Sequence, residues 1–197
     1  MDVREKILRA AVTVFAEVGF RGATTRRIAQ EAGVNEITLF RHFGSKDKLL
    51  HEAISRQDLA PVIPALPEVP ARPRAELLAW AREHYDHMVQ MRSLMCACMA
   101  EMTEHPEIIP DSTPTRKSVI QLQDWLHKLR SGGFTTVTFD PEIVAPMFLG
   151  ALFSDALGRV FTPSSYAKSQ EKTLEGYVDF FLRGIGIEKH AGTLRAS

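Results

Sequence analysis

The stretch "GATTRRIAQEAGVNEITLFRHFGSKDKLL", residues 22–50, decides the fold. Thr24 and Thr25 offer an N-cap for "RRIAQEA", whose apolar side is Ile28, Ala29 and Ala32. Gly33 supplies the left-handed backbone that a tight turn needs. Asn35 then caps a second short helix in which Val34, Leu39 and Phe43 face inward. Gly44 ends it, and Ser45 caps a further helix with Leu49, Leu50 and Ala53 on its apolar side. Two short helices joined by a four-residue turn at a steep angle have helix-turn-helix spacing.

At 100° per residue, Leu39 and Phe43 point one way and Arg41 nearly the opposite, with Ile37 and Thr38 flanking it. Those outward side chains suit major-groove reading. Arginine pairs with guanine O6/N7, and isoleucine or the threonine methyl meets a thymine methyl. Glu36 either accepts from a cytosine amine or serves the helix N-terminus as an acidic group.

Upstream, Ile7, Leu8, Ala11, Phe15 and Val18 mark one face of a helix that Gly19 stops. Downstream, prolines recur every third residue at 61, 64, 67, 70 and 73. No helix survives that spacing, and we read the segment as a stiff spacer rather than a groove-binding PxxP ligand. From Arg74 the helical pattern resumes, through "RAELLAWAREHYDHMVQM" and "SLMCACMAEMTEH" up to Pro106. Pro114 starts the next helix, and Gly132–Gly133 stop it. Asp140–Pro141–Glu142 start another with Pro146 in its first turns, and a last helix is expected from about Ser165 to Leu182. "TTVTF" (135–139) is too short and isolated for a sheet.

The expected fold is therefore all-α, about nine helices. Residues 1–57 form the helix-turn-helix domain and 58–73 the connection. Residues 74–187 form a larger helical domain, and 188–197 a frayed tail.

Charge and composition narrow the function. The chain of 197 residues is 45% hydrophobic with 24 basic and 24 acidic residues. Residues 1–57 hold 10 basic and 7 acidic side chains, a mildly basic front that fits an anionic partner there. Balanced charge overall argues against a protein that coats nucleic acid. Cys96 and Cys98, two apart on a helix, point away from each other and cannot pair. The charged start "MDVREKILRA" lacks a signal peptide's apolar core, and the longest apolar run, "VAPMFLGALF" (144–153), is about half a membrane span. A soluble cytoplasmic protein with no membrane partner is expected. No nucleophile motif, phosphate-binding glycine loop or metal-ligand spacing points to an enzyme or a cofactor.

The pattern T-T-x-x-x-I-A-x-x-A-G-V-x-x-x-T-L-[YF]-x-H-F-x-x-K-x-x-L resembles the TetR family of bacterial transcriptional regulators. "AEMTEHPEI", "DPEIVAPMFLGAL" and "YVDFFLRGI" look like the ligand-binding half of its AcrR-like members. The resemblance implies a homodimer paired through the last two helices on a double-stranded DNA operator. It places Thr25 at a phosphate and Arg26 within reach of a base. Glu36, Ile37, Thr38 and Arg41 fall on the base-reading side, and Phe40, His42 and Lys46 along the backbone. The chain departs from the family at Phe40, where tyrosine is usual, and at Gly44, where many members carry a charge.

Met88, Met91, Met95, Met99 and Met102 crowd one short span. Methionine adapts to varied apolar shapes, so this span suggests a pocket for a small lipophilic effector. Its candidate lining is Trp80, His84, Met88, Met95, Met99, Trp125 and Phe148. Three other readings stand beside it: a methionine-rich core with no ligand, a metal- or thiol-responsive regulator using the Met/Cys cluster, and a helical interaction module that no longer binds DNA.

Overall fold

The structure, a computed structural model, describes residues 2–55, 64–106 and 114–187. Pro61, the 57/58 boundary and the 188–197 tail lie outside the described residues. Among those described there are nine α-helices and no strand. The chain divides into two compact units, Met1–Val62 with Gln90–Pro114, and Ile63–Val89 with Thr115–Ser197.

The first unit begins with α1 (Val3–Gly22). Its Ile7, Leu8, Ala11, Val14 and Phe15 are buried, and Gly19 interrupts it at φ 67°, ψ −173°. Only glycine tolerates that backbone, so the expected stop is a break after which one more turn reaches Gly22. In α2 (Thr25–Ala32), the Thr24 hydroxyl accepts from Arg27 N–H at 3.2 Å. Gly33 then closes α2 in the left-handed conformation, with Val34 N–H donating to Ala29 O at 2.9 Å. Asn35 Oδ1 accepts from Ile37 N–H at 2.9 Å and opens α3 (Glu36–Phe43). Ser45 does the same for α4 (Lys46–Ser55) through Lys48 N–H. The core these helices share is entirely apolar, centred on Ile7, Leu8, Phe15, Ile28, Leu39, Leu49 and Leu50.

One further helix belongs to this unit. α6 (Arg92–Glu101) lies against α1, with Leu94, Ala97 and Cys98 packed on the same core. It ends at Glu101, one turn short of the sequence expectation.

The second unit contains α5 (Pro73–Gln90), α7 (Pro114–Ser131), α8 (Pro141–Phe161) and α9 (Gln170–Gly184). α5 touches each of the others. Trp80 Nε1 donates to Gln121 of α7 at 2.6 Å, Tyr85 donates to Asp155 of α8 at 2.7 Å, and Arg74 pairs with Asp179 of α9 at 2.6 Å. α8 is 21 residues long and apolar enough to cross a membrane by length and composition. Its buried Asp155, however, accepts from Arg159, Tyr85 and Tyr177, which marks a core helix of this bundle. α8 continues through Pro146, because the carbonyl left without its N–H belongs to the exposed Glu142.

α9 starts five residues later than expected. Arg159 Nη1 donates to the carbonyls of Tyr166 and Lys168, at 3.4 and 2.9 Å, and this holds the approach outside the helix. Residues 135–139 form no strand; Thr135 instead donates to Ile185 O at 2.6 Å and fastens the end of α9.

Candidate nucleic-acid interface

Leu39 and Phe43 anchor α3 in the apolar core, and this fixes what its other side presents. Ile37 is 74% exposed, Phe40 half exposed, Arg41 and His42 exposed, and Thr38 half buried. The side expected to read bases is therefore the open one. Arg26, on α2, is also exposed. The neighbouring Arg27 pairs with Glu17 at 3.1 Å.

Three of the candidate residues are engaged within the unit. The Thr25 hydroxyl donates a short hydrogen bond to Glu36 Oε1, tying the first residue of α2 to the first of α3. Lys46 Nζ donates to Phe20 O at 2.7 Å and lies 3.6 Å from the centre of the Phe20 ring. Burial draws the Lys46 ammonium below its usual range, against the opposing pull of Asp47 and Glu101.

Sequence reasoning did not find this Phe20 junction. Besides Lys46 at its carbonyl, Phe20 has Glu101 of α6 accepting from its N–H at 3.0 Å. The His105 ring sits 3.8 Å from its own, centre to centre. A Cβ placed on Gly19 would lie 3.2 Å from the same Glu101 oxygen. The signal available in the sequence was Gly19 itself, whose backbone leaves the Phe20 N–H without a helical partner.

The candidate effector residues divide between the units. Met95 and Met99 stand on α6 in the first. Trp80, His84, Met88, Trp125 and Phe148 are buried in the second. His84 has both ring nitrogens in use. Nδ1 faces Trp80 O at 2.9 Å and must carry the proton, and Nε2 accepts from Ser118 Oγ at 2.8 Å. Burial pushes His84 down to about 4, opposed by the Trp80 carbonyl and assisted by His87. Trp125 Nε1 and His87 Nδ1 are buried without a hydrogen-bond partner. Burial raises the Cys98 thiol to about 11, which keeps it protonated and slow to react at neutral pH.

A helix-turn-helix unit with an open reading helix has the geometry of a DNA-binding unit. Residues 7–53 match the family model for "Bacterial regulatory proteins, tetR family". Over 60 residues the chain is 42% identical to the HTH-type transcriptional repressor AcnR of Corynebacterium efficiens, a match covering 30% of this chain and 31% of that repressor. Over 186 residues it is 25% identical to the uncharacterized HTH-type transcriptional regulator YvkB of Bacillus subtilis, covering 93% of this chain and 97% of that one. The crystal structure of a TetR-family transcriptional regulator from Mesorhizobium loti shares the fold at a TM-score of 0.69 and 20% identity, covering 92% of this chain and 96% of that one. Residues 7–53 thus carry the helix-turn-helix domain of the tetR-family model, and the two relatives named are transcriptional regulators.

Proposed function

We propose that this regulator is a cytoplasmic homodimeric repressor, released from a palindromic operator when a small lipophilic molecule binds its second unit. The observation that carries the reading is the outward face of α3. Ile37 and Arg41 are exposed there while Leu39 and Phe43 lock the helix from behind. Arg26 and Thr38 extend that face toward the bases, and Phe40 and His42 toward the phosphates beside it.

Dimerisation has support in α8 and α9. Ile143 and Met147, 63% and 62% exposed, lie on one stripe of α8 with Gly150 and Ser154. Phe180, 75% exposed, lies on one stripe of α9 with Gly176 and Gly184. A Cβ placed on Gly150, Gly176 or Gly184 would meet no atom beyond its own helix backbone within 4 Å, so another helix can come close there. Apolar residues spaced with glycines suit an isologous helix pairing, and a two-fold protein calls for a two-fold operator.

For the effector, the aromatic and methionine side chains of α5, α7 and α8 supply apolar walls, and the unpartnered Trp125 N–H supplies one donor. Release requires an effector that prefers a conformation with wrongly spaced reading helices. α6 is the candidate transmitter, because it follows α5 after one residue and holds Phe20 through Glu101.

The test is binding of the full chain to DNA upstream of its own gene against a scrambled duplex, over a salt series. Preference for the native duplex, with affinity falling steeply as salt rises, supports the reading. Arg41→Ala is expected to cost about 1–3 kcal/mol and to relax preference at one base pair per half-site. Equal weak binding of both duplexes, with no protected site, counts against it.

A further inference from the structure

We infer that the effector is an uncharged lipophile bearing a carbonyl acceptor, such as a ketone, ester or lactone, and that the buried Trp125 N–H donates to that oxygen. The inference deepens the effector role proposed for the second unit and rests on it.

The seam between α5 and α7 is built from paired polar groups. Ser118 Oγ donates to His84 Nε2 at 2.8 Å, and Trp80 Nε1 donates to Gln121 Oε1 at 2.6 Å. Ser118, Gln121 and Trp125 are spaced by about one helical turn each, so they share one side of α7. Trp125 is the next member of that row. It is 1% exposed, yet its Nε1 has no hydrogen-bond partner. The seam is one acceptor short. A buried donor without an acceptor destabilises the fold, and phenylalanine would fill much of the same space without that cost. A ligand that brings the acceptor accounts for the indole there.

The same seam sets the ligand's chemistry. Its own acceptors, His84 Nε2 and Gln121 Oε1, already receive protons. A ligand hydroxyl or amide N–H would therefore arrive without a partner, whereas a carbonyl oxygen fits. Charge decides the rest. Among the described residues no lysine or arginine of the second unit is buried, and the half-buried Arg159 is paired with Asp155 at 2.7 Å. His84 is kept neutral by its burial. A carboxylate would give up its water with no cation to receive it, so the anionic form is disfavoured. Apart from His84, Thr135 and Asp155, the buried side chains described in this unit are apolar, which suits a lipophilic body around the single acceptor.

The experiment follows the two tryptophan indole N–H signals of the isotope-labelled full chain by NMR, assigned with Trp80→Phe and Trp125→Phe. The probes are a naphthyl methyl ketone, the ethylnaphthalene of the same shape, and naphthoate, with a long-chain methyl ketone as a second shape. A ketone is expected to move the Trp125 signal downfield and to bind about tenfold more tightly than the ethyl compound or naphthoate. Trp125→Phe, with an unchanged far-UV spectrum, should bring ketone and ethyl compound to equal affinity. Equal binding of those two by the wild type, with the Trp125 signal unmoved, overturns the inference while the lipophilic pocket stands. Tightest binding of naphthoate overturns the uncharged class. A Trp125 signal already downfield and exchanging with water in the free protein makes water the partner, and also overturns it. If no probe of either shape moves a signal, the lipophilic pocket itself falls.

Discussion

The two units differ most in what their cores contain. The first packs Ile7, Leu8, Phe15, Ile28, Leu39, Leu49 and Leu50 with no buried polar side chain among its described residues. The second buries His84, Thr135 and Asp155. An apolar core is held by shape and area, so it has no titrating or exchangeable group and responds little to chemistry around it. A core with hydrogen-bonded polar groups fails sharply when a partner is lost, and its bonds can be exchanged for a ligand's. That contrast fits a rigid reading unit and a responsive one. It also gives each unit its own reporter. Both tryptophans, Trp80 and Trp125, lie in the second unit, so their fluorescence follows that unit alone, whereas far-UV circular dichroism follows both.

The largest expected effect removes Asp155. It accepts from Arg159 Nε at 2.7 Å, Tyr85 at 2.7 Å and Tyr177 at 3.2 Å. Burial and the Asp155 carboxylate hold both tyrosines up at about 12, so they remain donors at neutral pH. Asp155→Ala leaves the Arg159 charge and two hydroxyls without their acceptor, and is expected to destabilise the second unit by about 3–5 kcal/mol. Denaturant titration followed by tryptophan fluorescence checks this. A loss below about 1 kcal/mol would mean that water replaces the carboxylate, and that the core is not polar in the sense argued.

The next effect concerns acid. His84 is neutral in the fold, with a folded value of about 4 against 6.5 for the free side chain. Between those values the unfolded chain binds the proton that the folded one refuses. Stability is therefore greatest above pH 6.5 and declines as pH falls toward 4. By pH 5 the loss is about 2 kcal/mol. It should appear in the tryptophan transition, and His84→Gln should flatten the slope by up to one proton. An unchanged slope in His84→Gln would assign the acid response to other groups, such as His87, which burial also pulls down.

The same contrast explains what could be read from the chain. Thr24, Gly33, Asn35 and Ser45 act through bonds that span two to five residues, so caps and turns of the first unit follow from local chemistry. The open face of α3 was legible for the same reason, since 100° per residue settles it once Leu39 is inside. The Thr25–Glu36 bond was not, because it joins the starts of two helices across their turn. Polar links in the second unit span longer distances along the chain, 70 residues for Tyr85 to Asp155 and 105 for Arg74 to Asp179. No periodicity encodes such pairs. The methionine run was read as one pocket wall, yet Met95 and Met99 lie on α6, a helix packed on α1. Apolar periodicity identifies a buried face without naming what buries it.

The smallest effect tests whether the units are as separate as their cores suggest. Glu101 accepts the Phe20 N–H that Gly19 leaves outside the helix, and Lys46 occupies the Phe20 carbonyl from the other side. Glu101→Ala orphans that N–H and takes an opposite charge from near Lys46. The expected loss is about 1–2 kcal/mol, in the first unit only. The part of the far-UV melt owed to that unit should then move to lower temperature while the tryptophan transition holds its place. Restoring an acceptor with Glu101→Gln should recover most of the loss, because the N–H regains a partner even without the charge. If both transitions fall together in Glu101→Ala, melting of α1 and α6 drags the bundle with it. The Phe20 junction would then be a mechanical coupling as well as a clamp.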